Sequence, residues 1–279
     1  MTAVALPDGR RLAYQQYGPA DGTPVLFVPG AGCGRLMTFG DDDVLHRHHV
    51  RMICVDRPGL GDSTHHTTKT FTSVADDVGH LVRTVVGEPV PVIANSQGAP
   101  FGLAMAAGHW TRALVLASPI DDIAFPAITD QLPDPLRDLV AAVAADPRAV
   151  GSHLLTFTAQ TVFDMVMADY PASDAAVYDR PEFRAQFRAA LDDGFRSGPA
   201  GYAGDTVLAM SAWPSAVFEP RVPVHILFGA EDGVHSPDLG LTLSRRISRA
   251  RRDVVAGTGG ALLWSHAGLV LQAAADLVR

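Results

Sequence analysis

The sequence is poor in the features that mark secreted, membrane-spanning and metal-binding proteins. It has only two cysteines, Cys33 and Cys54, which form neither a disulfide framework nor a CxxC metal or redox pair. No apolar run approaches the roughly 20 residues needed to cross a bilayer. The start, Met1-Thr2-Ala3-Val4, lacks the charged and apolar regions of a signal peptide. We therefore expect a soluble, cytoplasmic protein with no membrane partner.

Basic residues are also few. The chain has 22 lysines and arginines against 30 acidic residues, a net charge of −8, which argues against non-specific nucleic-acid binding. Apolar residues make up 47% of the 279 positions, enough for a sizeable core. The length fits two average domains or one large α/β domain that carries an insertion.

Short apolar runs alternate with segments of helical periodicity. Several strands, such as Val25-Leu26-Phe27-Val28, are continuously apolar, which is typical of a parallel sheet covered on both faces. The predicted strands are 11–17, 24–29, 50–55, 89–95, 112–118, 223–229 and 252–256. Helices are predicted at 72–86, 98–107, 236–249 and 261–278. The alternation predicts an α/β fold with a doubly wound, mostly parallel sheet.

One stretch interrupts this alternation. Residues 120–215 carry little strand signal, and helices are predicted there at 136–145, 151–167 and 181–195. We therefore divide the chain into a core of residues 1–119 and 216–279 and a helical cap of residues 120–215. Because ligands of open α/β sheets bind beyond the carboxyl ends of the strands, an insertion leaving such an end would cover the site.

The strongest local signal surrounds Ser96. An apolar strand leads into Ala94-Asn95-Ser96-Gln97-Gly98, and a predicted helix follows. A nucleophile on a sharp strand-to-helix turn needs small residues two positions before and after it, because the backbone folds back closely there. The turn would place the Gln97 N–H where negative charge develops. An ordinary helix N-cap serine is the competing interpretation.

Two further segments accompany this turn. Residues 25–35 form a strand that runs into a glycine-rich loop, Pro29-Gly30-Ala31-Gly32-Cys33-Gly34. The loop lacks the spacing of known phosphate cradles, and we place a second oxyanion donor on the Ala31 N–H. Residues 53–63 form a strand followed by Asp56-Arg57-Pro58-Gly59-Leu60-Gly61-Asp62-Ser63.

Together these segments resemble the α/β-hydrolase superfamily, in particular a bacterial group of small-molecule hydrolases with an Asp-Arg-Pro-Gly-x-Gly-x-Ser turn. The resemblance extends from Asp8 onward and is weakest in the insertion, which matches the superfamily's cap. It implies that Ser96 is the nucleophile and that Asp232, which follows a late strand, is the acid. A surface-loop carboxylate is the alternative for Asp232.

The chain departs from the family pattern twice. Pro29 stands where relatives have histidine, and proline has no N–H. More importantly, Gly260 stands where relatives carry the general base. His266 comes six residues later, and a helix-surface histidine and a displaced base are both open interpretations. His235 follows Asp232 by three residues and is either an alternative base, acting as a dyad without that carboxylate's help, or a pocket-lining residue.

Three hypotheses follow for the small-molecule site. The first is hydrolysis of an ester, thioester or lactone of a small apolar molecule by Ser96, assisted by Asp232 and by His235 or His266. Because the usual base is missing, the second is a lyase, elimination or cyclisation reaction of specialised metabolism without a covalent intermediate. The third is an inactive ligand-binding homologue. No metal and no organic cofactor is implied, and the sequence leaves the oligomeric state open.

Overall fold

One eight-stranded sheet organises the chain, for which a computed structural model describes residues 2–278. The strands are β1 Ala3–Ala5, β2 Arg11–Tyr17, β3 Thr23–Val28, β4 Val50–Val55, β5 Val90–Ser96, β6 Thr111–Pro119, β7 Val224–Gly229 and β8 Ala250–Val255. Their order in the sheet is β1-β2-β4-β3-β5-β6-β7-β8. β2 pairs antiparallel with β1 and β4, and the remaining neighbours pair in parallel. The predicted mostly parallel α/β fold is confirmed.

Helices cover both faces of this sheet. The core helices are α1 Asp42–Arg47, α2 Phe71–Val85, α3 Ala99–Ala106, α11 Leu241–Arg246, α12 Leu262–Ser265 and α13 Ala267–Asp276. Alternate residues of β3 point to opposite faces: Leu26 and Val28 join the buried cluster that contains α2 and α3. Val25 and Phe27 join the cluster that contains α13. This double burial explains the continuous apolar runs, since each fully buried large side chain contributes about 1.5–3 kcal/mol.

Between β6 and β7 the described residues contain helices, turns and loops but no strand. These are α4 Pro126–Thr129, α5 Asp134–Ala145, α6 Pro147–Leu154, α7 Ala159–Met167, α8 Ala175–Tyr178, α9 Pro181–Gly194 and α10 Ala200–Met210, with 3₁₀ turns at Ala172–Asp174 and Ser215–Phe218. We call residues 120–215 the cap segment. None of the helices within residues 2–278 is long and apolar enough to cross a membrane.

Several predicted boundaries differ from the structure for local reasons. The predicted helix 151–167 is two helices, because Thr158 accepts the Thr161 N–H and starts a new one. The predicted helix 261–278 breaks at His266, whose backbone leaves the helical region (φ −127°, ψ 37°). The short elements β1 and α1 were not predicted. The predicted core ranges also include residues 1 and 279, which lie outside the described residues.

Candidate active site

Ser96 ends the central strand β5 in a left-handed backbone conformation. Its φ is +50°, which for a residue with a side chain costs on the order of 1–3 kcal/mol and persists only where the surrounding structure enforces it. Its neighbours Asn95 and Gln97 are buried, whereas Ser96 is partly exposed. In residues 2–278 the Ser96 hydroxyl has no hydrogen-bond partner. The turn thus holds an unpaired, accessible hydroxyl at the carboxyl end of the sheet.

Close packing enforces this turn. A Cβ atom on Gly98 would lie 2.4 Å from the Val28 carbonyl oxygen and 2.8 Å from that of Pro29. One on Gly30 would lie 3.1 Å from Cβ and 3.5 Å from Oγ of Ser96. The glycine-rich loop therefore lies directly against the serine, and only small residues fit between the two.

A buried arginine orients the same loop. Arg57, which is fully buried, donates hydrogen bonds to the carbonyl oxygens of Pro29 (2.5 Å) and Gly30 (3.0 Å). In a trans peptide the N–H points away from the carbonyl oxygen. The N–H groups of Gly30 and Ala31 therefore point away from the guanidinium.

The cap segment holds this arginine in place. Asp205 of α10 accepts a hydrogen bond from Arg57 Nε at 2.8 Å and forms an ion pair with Lys69 Nζ at 2.6 Å. Lys69 also donates to the carbonyl oxygens of Pro58 and Gly201. The network of Arg57, Lys69 and Asp205 was not predicted; the isolated Lys69, the chain's single lysine, was its only sequence signal.

The two predicted oxyanion donors belong to Gln97, which follows Ser96 in the chain, and to Ala31 of the glycine-rich loop, whose Gly30 packs against Ser96. Within residues 2–278 neither the Ala31 N–H nor the Gln97 N–H donates a hydrogen bond. The Gln97 side chain points into the cap segment, where its Nε2 donates to Thr206 Oγ1 at 3.0 Å. Both backbone N–H groups therefore remain available to a ligand beside Ser96.

Asp232 and His235 form a hydrogen-bonded pair in the loop after β7. His235 Nδ1 lies 3.0 Å from both carboxylate oxygens, and Asp232 Oδ1 also accepts the N–H groups of Val234 and His235 at 3.2 Å. Asp232 is 2% exposed, whereas the His235 side chain is 15% exposed. Since Nδ1–H donates to the carboxylate, Nε2 is the free basic nitrogen of a neutral His235.

Their interaction lowers the pKa of Asp232 and raises the pKa of His235. Burial alone would raise the pKa of Asp232, but the charge of His235 and the hydrogen bonds outweigh it and lower that pKa. Burial alone would lower the pKa of His235, but the Asp232 carboxylate outweighs it and raises that pKa above the usual 6.5. Asp232 thus stabilises the imidazolium that forms when His235 takes up a proton.

Gly260 lies against the His235 ring. A Cβ atom on Gly260 would be 3.0 Å from His235 Cε1, 3.3 Å from Nδ1 and 3.7 Å from Asp232 Oδ1. The His235 imidazole therefore occupies the space that a side chain at position 260 would enter. A larger side chain at position 260 and the His235 ring could therefore not both fit here.

A short segment after β6 joins the histidine loop to the serine turn. The Ile120 N–H donates to the Ser96 carbonyl oxygen (3.2 Å), and the next residue, Asp121, donates to the His235 carbonyl oxygen (3.1 Å). Because adjacent residues are 3.8 Å apart, these two carbonyl oxygens lie within about 10 Å of each other. The structure brings Ser96, Asp232 and His235 to one end of the sheet.

His266 lies elsewhere. It separates α12 from α13, its Nδ1 is 2.8 Å from Ser265 Oγ, and it lines a surface cavity of about 430 Å³ together with Thr38 and Arg180. None of Ser96, Asp232 and His235 lines that cavity. Within residues 2–278 no group of three or more His, Cys, Asp or Glu side chains is arranged to hold a metal ion.

Comparison with known proteins agrees with this architecture. A family model described as the alpha/beta hydrolase fold matches residues 23–267. Among curated protein sequences, none matches the chain.

Solved structures give the same result over nearly the full length. Three similar ones are a hydrolase from Pseudomonas aeruginosa PA01 (19% identity, TM-score 0.72, 98% of this chain and 97% of that one), a thermophilic esterase from Thermogutta terrifontis (19%, 0.70, 100% and 97%) and the enol-lactonase from Burkholderia xenovorans LB400 (17%, 0.70, 99% and 99%). At such low identity they show the fold alone.

Proposed function

The chain belongs to the α/β-hydrolase fold family, and we propose that it hydrolyses an ester, thioester or lactone of a small, largely apolar molecule through Ser96. The observation that carries this proposal is the left-handed Ser96 at the carboxyl end of β5, tied through Ile120 and Asp121 to the loop of the Asp232–His235 pair. A nucleophile on a strained turn and a histidine base oriented by a carboxylate are two features of acyl transfer by serine in this fold.

In this proposal each polar group of the site has a defined role in the reaction. Ser96 Oγ attacks the substrate carbonyl carbon while its proton passes to His235 Nε2, and the Ala31 and Gln97 N–H groups hold the resulting oxyanion. The imidazolium, stabilised by Asp232, returns the proton to the departing alkoxide or thiolate. His235 then deprotonates a water molecule, which attacks the acyl-enzyme and releases the acid and free Ser96.

The substrate class rests on the surroundings of the loop. A Cβ atom on Gly32 would lie within 3.5 Å of Phe195, Leu191 and Tyr202, so apolar side chains of the cap segment lie over the loop that carries the oxyanion donor. The similar proteins named as an esterase and an enol-lactonase support ester and lactone substrates. Apolar side chains beside the oxyanion loop favour an apolar acyl group over a charged one.

The test combines single variants with a covalent probe. We expect turnover of a panel of p-nitrophenyl esters, thioesters and lactones, and labelling by a fluorophosphonate. Ser96→Ala should abolish both. His235→Ala should lower kcat/KM by about 10²–10⁶-fold. His266→Ala should retain the activity, because none of Ser96, Asp232 and His235 lines the cavity at His266. An active Ser96→Ala protein would refute the nucleophilic role.

Intact mass during turnover separates this proposal from the two other hypotheses. An acyl adduct on Ser96 and incorporation of ¹⁸O from labelled water support hydrolysis. Conversion with neither adduct nor ¹⁸O would instead favour elimination or cyclisation. Saturable ligand binding with no chemical change in any compound would favour an inactive binding protein.

A further inference from the structure

A carboxylate of the cap segment reaches the loop on which the His235 ring rests. Asp174 is 1% exposed and accepts the Gly259 N–H at Oδ1 (2.7 Å) and the Ala261 N–H at Oδ2 (3.0 Å); Thr258 Oγ1 is 3.5 Å from Oδ1. These residues flank Gly260, whose missing side chain leaves room for His235. Only Gly260 therefore lies between the two backbone groups that Asp174 binds and the His235 ring.

The Asp174 carboxylate bonds a distant loop and not its own helix. Its backbone is already helical (φ −89°, ψ −12°), since it ends the 3₁₀ turn Ala172–Asp174 that runs directly into α8, and its side chain makes no bond to α8. Both oxygens instead accept N–H groups of a loop about 85 residues away, which thereby gains two buried hydrogen bonds.

The loop that receives these bonds is closely packed. A Cβ atom on Gly229 at the end of β7 would lie 2.3 Å from the Gly259 carbonyl oxygen, and one on Gly259 would lie 2.7 Å from Asp174 Oδ2. The preceding residue of the cap segment, Ser173, donates to Glu231, the neighbour of Asp232, at 2.8 Å. Residues 173–174 therefore contact both loops that shape the surroundings of His235.

We propose that Asp174 is a positioning residue: a carboxylate of the cap segment that fixes loop 258–261 and thereby holds the His235 imidazole over Asp232. This inference rests on the proposed function, in which His235 is the base. It makes the cap segment a fixed part of the acid–base machinery as well as a cover for the substrate.

The position has an electrostatic consequence. Ionisable groups near His235 include the carboxylates of Asp232 and Asp174 and Asp121, whose N–H donates to the His235 carbonyl oxygen. The buried phenol of Tyr178 lies near Asp174 and Asp232, and Glu231 is reached through Ser173. Burial lowers the pKa of His235, Asp232 raises it most, and Asp174 raises it further. Removing the charge of Asp174 should therefore lower the pKa of His235, and loss of the hydrogen bonds to Gly259 and Ala261 should shift those two amide signals.

Asp174→Asn tests the inference, and Asp146→Asn is its matched control. Asp146 is also an aspartate of the cap segment that accepts two N–H groups, but those belong to its own helix α6. NMR titration of the His235 ring in resting enzyme should give a pKa lower by about half a pH unit or more in Asp174→Asn. The control should match wild type. In Asp174→Asn the acid limb of kcat/KM should move the same way, with a loss of about tenfold in rate.

The ring titration does not depend on turnover, so its failure is distinguishable from failure of the proposed function. An unchanged pKa of His235 together with unshifted Gly259 and Ala261 amide signals in Asp174→Asn would overturn the inference. If that variant does not fold, hydrogen exchange in the wild-type protein decides: the Gly259 and Ala261 amides should exchange slowly. Exchange as fast as that of the exposed Gly257 would overturn the inference.

Discussion

Gly260→Ala is the smallest change that tests whether His235 needs an empty position 260. The new methyl carbon would lie 3.0 Å from His235 Cε1, whereas carbon atoms in contact sit about 3.5–4.0 Å apart. The ring must therefore move by about 0.5–1 Å, away from its alignment with Asp232. A misplacement of about 1 Å costs on the order of 10²-fold in rate, so we expect kcat/KM to fall by about 10–100-fold.

The backbone does not explain such a loss. Gly260 is not among the glycines with positive φ, so alanine is tolerated there except for the contact with the ring. Overpacking would cost about 1–3 kcal/mol of stability, a fall in Tm of several degrees. Kinetics on an activated ester, with circular dichroism to verify folding, measure both effects.

Gly151→Ala is the matched control. Its methyl group, in helix α6, would meet nothing closer than Val207 Cγ2 at 3.7 Å, and alanine favours a helix by about 0.5–1 kcal/mol over glycine. We expect unchanged kcat/KM and an equal or higher Tm. A folded Gly260→Ala protein with wild-type kcat/KM would show that the place of the His235 ring is irrelevant to catalysis and would refute the reasoning.

Three other predictions concern buried charges and thiols. Asp205→Ala would leave the buried cations Arg57 and Lys69 without their counter-ion, which should lower the free energy of unfolding by about 3–5 kcal/mol. Calorimetry should show a Tm lower by about 10 °C, and a change under 2 °C would contradict this. Burial raises the pKa of Cys33 to about 12 and that of Cys54 well above its usual value. A disulfide reagent at pH 8 should therefore titrate the two thiols only after denaturation. Rapid labelling of the native protein would contradict this prediction. Burial raises the pKa of Asp121 to about 6, so between its ordinary value of 3.8 and pH 6 the folded state keeps a proton that the unfolded state has lost. The free energy of unfolding should therefore fall as pH rises through this window. Urea denaturation should show Asp121→Asn gaining stability relative to wild type between pH 4 and pH 7. The same difference in free energy of unfolding between variant and wild type at pH 4 and at pH 7 would contradict this.

The fold was predictable because it depends on local composition. Continuous apolar runs such as Val25–Val28 predict strands buried on both faces, and β3 has that environment. Boundaries were less predictable where tertiary contacts decide them. The predicted helix 236–249 is reduced to Leu241–Arg246, because Ser236 instead donates to Asp121 and accepts the Gly240 N–H in a turn.

The site was only partly predictable for a related reason. Ser96 and its small neighbours form a local pattern, so the nucleophile turn could be predicted from the pentapeptide and its flanking elements. Asp174 carries no such signal, because its partners are about 85 residues away and its position resembles an ordinary N-cap. A carboxylate that binds a distant loop looks, in the sequence, like one that caps its own helix.

Under the proposed function, the packing of His235 on Gly260 bears on how the chain delivers a general base. A general base must place one nitrogen near the nucleophile and the other against an orienting carboxylate, and it does not matter which loop delivers the ring. Asp232 and His235 lie three residues apart in one loop, and the neighbouring loop contributes only an empty place at Gly260 and a rigid backbone held by Asp174. Residue-by-residue alignment at position 260 would therefore suggest that the base has been lost. The contacts show the His235 ring held against Asp232 and packed on Gly260, and under the proposed function the loop after β7 delivers the base in place of the loop at position 260.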